Sequence, residues 1–266
     1  MLENLNLKRK LTREEYKHTL PGLQRRLYDL ERVCWQRGVS SILVFEGWDA
    51  AGKGGAISAL TERLDPRGVR LHPTNPPRTY EQQRPWLWRF WLQVPGRGEM
   101  VIFDRSWYLR VLDERVEDIV PKQAWRDAYR DIIEFERMLA EDGTVMLKFF
   151  LHISKKEQKE RFEAMEKDPL EAWRVTEADW DRHKKYGKYL KAAEEMLEQT
   201  ESNLAPWTIV EATSKWYARR KIFETAIAAL EMKLGRNAPP REETAADAAK
   251  DAELRDAMES LTGEGA

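Results

Sequence analysis

The chain has 266 residues, with 45 Lys+Arg against 46 Asp+Glu, a formal charge of −1 that argues against nucleic-acid binding through bulk charge. Its single cysteine, Cys34, excludes an internal disulfide framework and a cysteine zinc cluster, and fits a reducing cytoplasm. No apolar run approaches the roughly 18 residues of a membrane helix, and the opening MLENLNLKRK lacks the apolar stretch of a secretion signal.

Residues 1–11 are polar and are expected to form a flexible arm. Over 12–37, Leu23, Leu27, Leu30 and Val33 recur at helical spacing and Gly38 supplies a stop. Pro21 is disfavoured inside a helix, so the main helix is expected to begin there, with Thr19 as its cap. Ser41-Ile42-Leu43-Val44-Phe45 is a continuous apolar run, as in a buried parallel strand. It leads into Gly47-Trp48-Asp49-Ala50-Ala51-Gly52-Lys53, the spacing of a phosphate-binding P-loop, with a helix expected over 53–64.

In that loop, glycines let backbone N–H groups face phosphate oxygens, and the helix N-terminus adds partial positive charge. Lys53 reaches the distal phosphates. The alternative is a glycine turn that only joins strand to helix. The residue after the lysine is Gly54 rather than the usual Ser or Thr, so the hydroxyl that ligates Mg²⁺ is missing. Asp49, inside the loop, is the natural substitute, because a carboxylate is a stronger Mg²⁺ ligand and is tolerable beside phosphate when metal lies between them. A simple capping role for Asp49 is the other reading.

Val69–His72 reads as a second, weaker strand, 74–78 as a proline-rich loop, and 80–93 as an aromatic helix whose run 85–91 suits core and subunit contact better than a base-stacking platform, the alternative reading. Met100–Phe103 is a third buried strand ending in Asp104-Arg105. An acid at the end of such a strand stands beside the P-loop and faces its metal; capping of the next helix is the bland alternative. Helices are expected over 105–115 and 122–141, a long strand over 145–153, and a helix over 155–167 capped by Ser154. The charged, Trp-punctuated segment 170–200 follows, then a strand at 207–211 and a helix over 214–234. Arg161, which precedes the apolar Phe162 on the helix that follows a sheet strand, suits a lid arginine, whereas most lysines of this segment suit a solvated face. The four histidines (His18, His72, His152 and His183) are scattered and read as surface or core residues. Beyond 235 the acids outnumber the bases and aromatics vanish, so 236–266 is expected to be a disordered acidic tail.

Alternating strands and helices predict an α/β fold with a parallel sheet covered on both faces. The stretches GWDAAGKGG at 47–55, FDRSWY at 103–108, KFFLHISKKEQKERF at 148–162 and PWTIVEATSKWYAR at 206–219 resemble, in this order, the polyphosphate kinase 2 family. The resemblance covers about residues 12–234. It implies a P-loop kinase-like three-layer αβα sandwich over 12–235, close to the thymidylate kinases, with a helical lid at about 155–200. It implies reversible, Mg²⁺-dependent phosphoryl transfer between inorganic polyphosphate and a nucleotide by a cytoplasmic homo-oligomer, a dimer or tetramer, with no nucleic-acid or membrane partner.

By the same resemblance, Asp49 and Asp104 hold metal and the accepting phosphate, Lys53 and Arg105 neutralise the transferring group, and Arg161 is the lid arginine. Gly47, Ala50, Ala51, Gly52 and Gly54 cradle phosphate, Arg115 contacts it, and Arg67 lines a polyphosphate channel. DRSWYLRVLDERVE looks most like members that convert AMP to ADP, which often carry two fused copies of the domain, whereas this chain carries one and has Leu109 where glycine is common. The alternatives are polyphosphate-dependent phosphorylation of ADP or GDP, an ATP-dependent nucleotide kinase, and a non-enzymatic nucleotide-binding module.

Overall fold

The computed structural model describes residues 2–239. Helix α1 (Arg13–Arg37) starts at a capping box in which Thr12 accepts from the Glu15 amide and Glu15 accepts from the Thr12 amide. Gly38 ends it in the left-handed conformation at φ 67°. The expected break at Pro21 does not occur: Pro21 lies inside α1, and the Thr19 hydroxyl donates back to the carbonyls of Glu15 and Tyr16. The capping box and the packing of α1 against the last helix outweigh the roughly 3 kcal/mol that an interior proline costs.

Strand β1 (Ser41–Gly47) leads through the P-loop into α2 (Lys53–Thr61), and β2 (Val69–Pro73) follows. The expected aromatic helix over 80–93 is two short pieces, α3 (Thr79–Gln82) and α4 (Trp88–Trp91), separated by Pro85, whose ring cannot continue a helix. β3 (Met100–Asp104) is followed by a 3₁₀ turn at Trp107–Arg110 and by α5 (Asp113–Val116), not by one helix: Arg105 at φ 60° delays the start and Leu112, at φ −107° and ψ −88°, leaves the helical path between the two pieces. Then come α6 (Lys122–Glu141), β4 (Val145–His152), α7 (Lys155–Lys167), α8 (Glu177–Lys184), α9 (Tyr186–Gln199), β5 (Trp207–Glu211) and α10 (Lys215–Leu234).

The five strands form one parallel sheet in the order β2-β3-β1-β4-β5. Alternation along β1 divides the core in two: Leu43 and Phe45 face α1, α2 and α10, while Ile42 and Val44 face α6 and α9. The result is the three-layer αβα sandwich. Within the segment read as a lid, α9 belongs to the body, since Ala192, Ala193, Met196 and Leu197 are buried in the second core; α7 and α8 remain over the P-loop.

The expected arm at 1–11 is not loose over its described part. Leu2 is 1% exposed in the second core, and its amide donates to Glu194 at 2.7 Å. Most of the expected tail, 240–266, lies outside the described residues, while Ala238 packs on the first core and Pro239 accepts a bond from Arg26 at 2.7 Å.

Candidate active site

All strands point the same way, so the loops after β1 and β3 meet at one end of the sheet, where open α/β folds hold ligands. Gly47 ends β1 at φ 127°, and a Cβ there would lie 2.3 Å from the Leu151 carbonyl oxygen, so only glycine lets the loop leave the sheet beside β4. Ala50 (φ 60°) and Gly52 (φ 99°) turn the loop back into α2. A Cβ at Gly54 would meet open space, so the position of the missing hydroxyl is vacant of protein atoms.

Lys53 is folded into the loop, its Nζ donating to the carbonyls of Gly47 at 2.8 Å and Trp48 at 3.0 Å. Burial and the nearby Arg105 lower its pKa, while Asp49, Asp104 and Glu46 oppose this. The Asp49 carboxylate accepts from Arg105 Nη2 at 2.5 Å and from Arg182 Nε at 2.7 Å. Burial alone would raise its pKa, but Arg105, Lys53 and Arg182 hold it below the usual range. Arg105 is likewise opposed by burial, yet Asp49, Asp113, Glu46 and Asp104 raise it further above its ordinary value.

Arg105 owes its aim to its backbone. Its amide donates to the Phe45 carbonyl at 3.0 Å and its carbonyl accepts from Thr74 Oγ1 at 2.7 Å, which fixes the left-handed turn after β3. Its Nη1 also lies 3.6 Å from Asp113. Beneath it, Glu46 of β1 is 2% exposed and accepts from Ser106 Oγ at 2.8 Å. Burial pushes the Glu46 carboxyl up to about 7.

The predicted residues divide into two groups. Gly47, Asp49, Ala50, Ala51, Gly52, Lys53, Gly54, Asp104 and Arg105 converge on the crevice through the P-loop and the end of β3. Arg161 is adjacent but fully engaged: its guanidinium donates to Glu157 and to the carbonyls of Ala50, Ala212 and Thr213, bracing α7 against the P-loop. Arg115 does not enter the crevice. It bonds Tyr129 and Glu195 and lies over the Trp125 ring at 4.0 Å. Arg67 precedes β2 and therefore sits at the opposite end of the parallel sheet from the P-loop, paired with Asp65 at 2.6 Å.

The arginine that reaches the crevice from above is Arg182 of α8, which also pairs with Asp179 in its own helix. In sequence Arg182 is only one cation of the charged segment 170–200. Its one distinguishing signal is the capping box that fixes Asp179 at the start of α8, one turn away. Gln158 ties the same assembly together, donating to the Asp49 carbonyl at 3.2 Å and meeting His183 Nδ1 at 2.8 Å. Among the histidines, His152 accepts from Trp48 Nε1 at 2.8 Å, so its Nδ1 is unprotonated, and burial lowers its pKa to about 4.

One groove borders the P-loop and another opens beyond Arg105 and Arg182. One, of ≈570 Å³, is lined by Ala50, Gly52 and Trp216 together with the cations Lys10, Lys215 and Arg219. The other, of ≈710 Å³, is partly aromatic, with Trp86, Phe90 and Tyr189 among the cations Arg84, Arg89 and Arg110. Arg105 and Arg182 line the second and meet the P-loop at Asp49.

For a divalent metal, the donor set fits a cation that takes one or two carboxylates and completes its shell with phosphate oxygens and water. Among the described residues no three His, Cys, Asp or Glu side chains converge as a preformed cage. Asp104 makes no side-chain hydrogen bond or ion pair there, yet its charge acts on Lys53 and Arg105. A carboxylate left without a partner beside the P-loop lysine is a fitting first ligand.

The family described as polyphosphate kinase 2 matches residues 10–238. The chain is 43% identical over 237 residues to a polyphosphate:AMP phosphotransferase of Pseudomonas syringae pv. tomato, covering 89% of this chain and 48% of that one. It is 39% identical to an AMP/ADP-polyphosphate phosphotransferase of Meiothermus ruber, covering 80% of each. The crystal structure of polyphosphate kinase 2 from Arthrobacter aurescens TC1 superposes with a TM-score of 0.85 at 31% identity, over 95% of this chain and 93% of that one. The chain spans about half the length of the first curated relatives it matches.

Proposed function

The chain belongs to the polyphosphate kinase 2 family, and from that premise we propose that it transfers a phosphoryl group, reversibly and with Mg²⁺, between inorganic polyphosphate and a nucleotide, with AMP the principal acceptor. The observation that carries this reading is the convergence of Lys53, Asp49 and Arg105 at the phosphate loop, with a cationic groove bordering the loop and a partly aromatic one beyond Arg105 and Arg182. The groove bearing Lys10, Lys215 and Arg219 suits an extended polyanion. The groove bearing Trp86 and Tyr189, with arginines interleaved with Glu81, Asp113, Glu114 and Glu117, suits a molecule that carries both a flat base and a charged phosphate. The names of the P. syringae and M. ruber relatives support the acceptor.

In the reaction, an oxygen of the acceptor's terminal phosphate forms a bond to the terminal phosphorus of the polyphosphate. The anhydride bond behind that phosphorus breaks, and its electron pair stays on the shortened chain. The attacking phosphate is already anionic at neutral pH, so the protein's task is alignment and charge neutralisation. Backbone N–H groups of the P-loop and Lys53 hold the donor's last phosphates. Phosphate draws Lys53 away from the Gly47 and Trp48 carbonyls it now bonds. Arg105 and Arg182, paired with Asp49 in this arrangement, turn to the transferring group. Asp104 and Asp49 would hold Mg²⁺, which supplies electrostatic stabilisation of the charge developing on the transferred group.

A cytoplasmic homo-oligomer, dimer or tetramer, is part of the same proposal. It draws on the family resemblance and on the lone, buried thiol of Cys34. No helix among the described residues is long and apolar enough to cross a membrane. The test is a product assay with purified protein, Mg²⁺ and long-chain polyphosphate, adding AMP, ADP or GMP separately. ADP formed from AMP only when polyphosphate is present is the expected result. Product from ADP but none from AMP would overturn the acceptor, and tight nucleotide binding without any product would overturn the activity.

A further inference from the structure

Away from the crevice, the largest commitment of buried charge lies wholly inside the second core. Lys148, in the middle of β4, has a side chain 0% exposed, and its partner Glu136 on α6 is 4% exposed. Lys148 Nζ donates to Glu136 Oε2 at 2.8 Å, to Tyr108 OH at 3.0 Å and to the Thr200 carbonyl at 2.8 Å. An ammonium has three N–H groups, so this set is complete. Glu136 Oε1 accepts from Trp107 Nε1 at 3.0 Å and from Tyr108 OH at 2.7 Å.

Such a pair is a weak source of stability, because apolar residues of similar volume often pack as well or better. What it supplies is direction. Trp107 and Tyr108 follow Arg105 almost immediately, in the 3₁₀ turn that Ser106 caps. Phe90, Phe103 and Phe135 surround the Trp107 ring with apolar surface, which holds a ring but gives its N–H no partner. The hydrogen bonds to Glu136 are what register both side chains, and Lys148 anchors Glu136 to β4 and to the end of α9. Upstream, the same segment is gripped through the backbone of Arg105 by Phe45 and Thr74. The left-handed turn that aims Arg105 is thus held from both sides.

We propose that Glu136 and Lys148 are positioning residues for phosphoryl transfer: a buried clamp that, through Trp107 and Tyr108, sets the aim of Asp104 and Arg105. For its effect on rate this rests on the phosphotransferase reading above; for its effect on the segment's order it does not. Two double variants separate positioning from charge and from packing. Glu136→Gln with Lys148→Met removes both charges but keeps an oxygen for Trp107 and Tyr108. Glu136→Leu with Lys148→Met removes the oxygen as well.

The expected result is that the Leu pair loses kcat by about 100-fold with KM for both substrates nearly unchanged, as for a misplacement on the order of 1 Å. The Gln pair is expected to stay within about threefold of wild type. Amide hydrogen exchange over 104–109 is expected to quicken in the Leu pair alone, whether or not any substrate is turned over. Equal kcat in the two pairs, or unaltered exchange in the Leu pair, overturns the proposal. Inactive wild-type protein with exchange altered as expected would sink the phosphotransferase reading and leave the clamp standing. Should the Leu pair not fold, Tyr108→Phe, which deletes one oxygen, takes its place with the same readouts: lower kcat and faster exchange support the clamp, and neither overturns it.

Discussion

Replacing Glu46 by Gln probes the buried acid beneath the crevice. Glu46 is 2% exposed and its Oε1 accepts from Ser106 Oγ at 2.8 Å. Burial raises its carboxyl from 4.5 to about 7; the Ser106 bond pulls it back, Asp113 adds to the rise, and Lys53 and Arg105 oppose it. As pH rises between those values, the unfolded chain gives up the proton while the folded protein keeps it. The group's contribution to stability is therefore complete below 4.5 and is lost as pH rises through about 7. The gap between 4.5 and about 7 amounts to about 3 kcal/mol.

Glutamine keeps the acceptor for Ser106 and cannot ionise. Its stability relative to wild type is expected to climb with pH, by about 3 kcal/mol in all, or roughly 6–12 °C in Tm for a domain of this size. The assay is thermal unfolding by circular dichroism from about pH 4.5 to about pH 8.5. His152 runs the other way: its pKa is lowered by burial from 6.5 to about 4, so its contribution is lost as pH falls through that window. It is present in both proteins and cancels in their difference, which is the quantity to read. A difference that stays flat with pH, or that increasingly favours wild type, refutes the buried-acid account.

Arg182→Lys leaves a single point charge in place of the fork that now joins Asp49 and Asp179. Its kcat is expected to fall about 100-fold with little change in KM, a loss of about 2.7 kcal/mol of transition-state stabilisation; unaltered kcat in the product assay would remove Arg182 from the chemistry. Asp104→Asn is expected to raise the Mg²⁺ concentration for half-maximal rate by about tenfold or more, while stability changes by no more than about 0.5 kcal/mol, since the carboxylate bonds no side chain or backbone group among the described residues. A Mg²⁺ titration that superposes on wild type would show that Asp104 does not hold the metal. Leu2→Ala is expected to cost about 2–5 kcal/mol in denaturant unfolding, because its side chain is 1% exposed; an unchanged midpoint would restore the loose arm that the polar sequence suggested.

The strand–loop–helix around Lys53 and the strand ending in Asp104 were legible because each is local. Apolar runs mark buried parallel strands, glycine marks the backbone that must turn, and the acid stands where its strand ends. Parallel strands then bring their C-terminal ends together, so Asp49 and Arg105 meet although 56 residues separate them. The arginines were not legible in this way. Arg115, Arg161 and Arg182 all lie in charged segments, and sequence offers no means of telling which guanidinium is consumed by neighbours. Arg67 looks like any basic loop residue until strand direction puts it at the far end of the sheet. Leu2 reads as part of a polar arm, and its burial follows from a cavity that α9 and the sheet create. Lys148 is the sharpest case: in sequence it is a charged interruption of a strand, and only the convergence of α6, β4, the 3₁₀ turn and the end of α9 makes it a satisfied ion at the centre of a core. Local backbone chemistry is written in short stretches of sequence; the partner of a long, charged side chain is decided by which distant elements pack beside it.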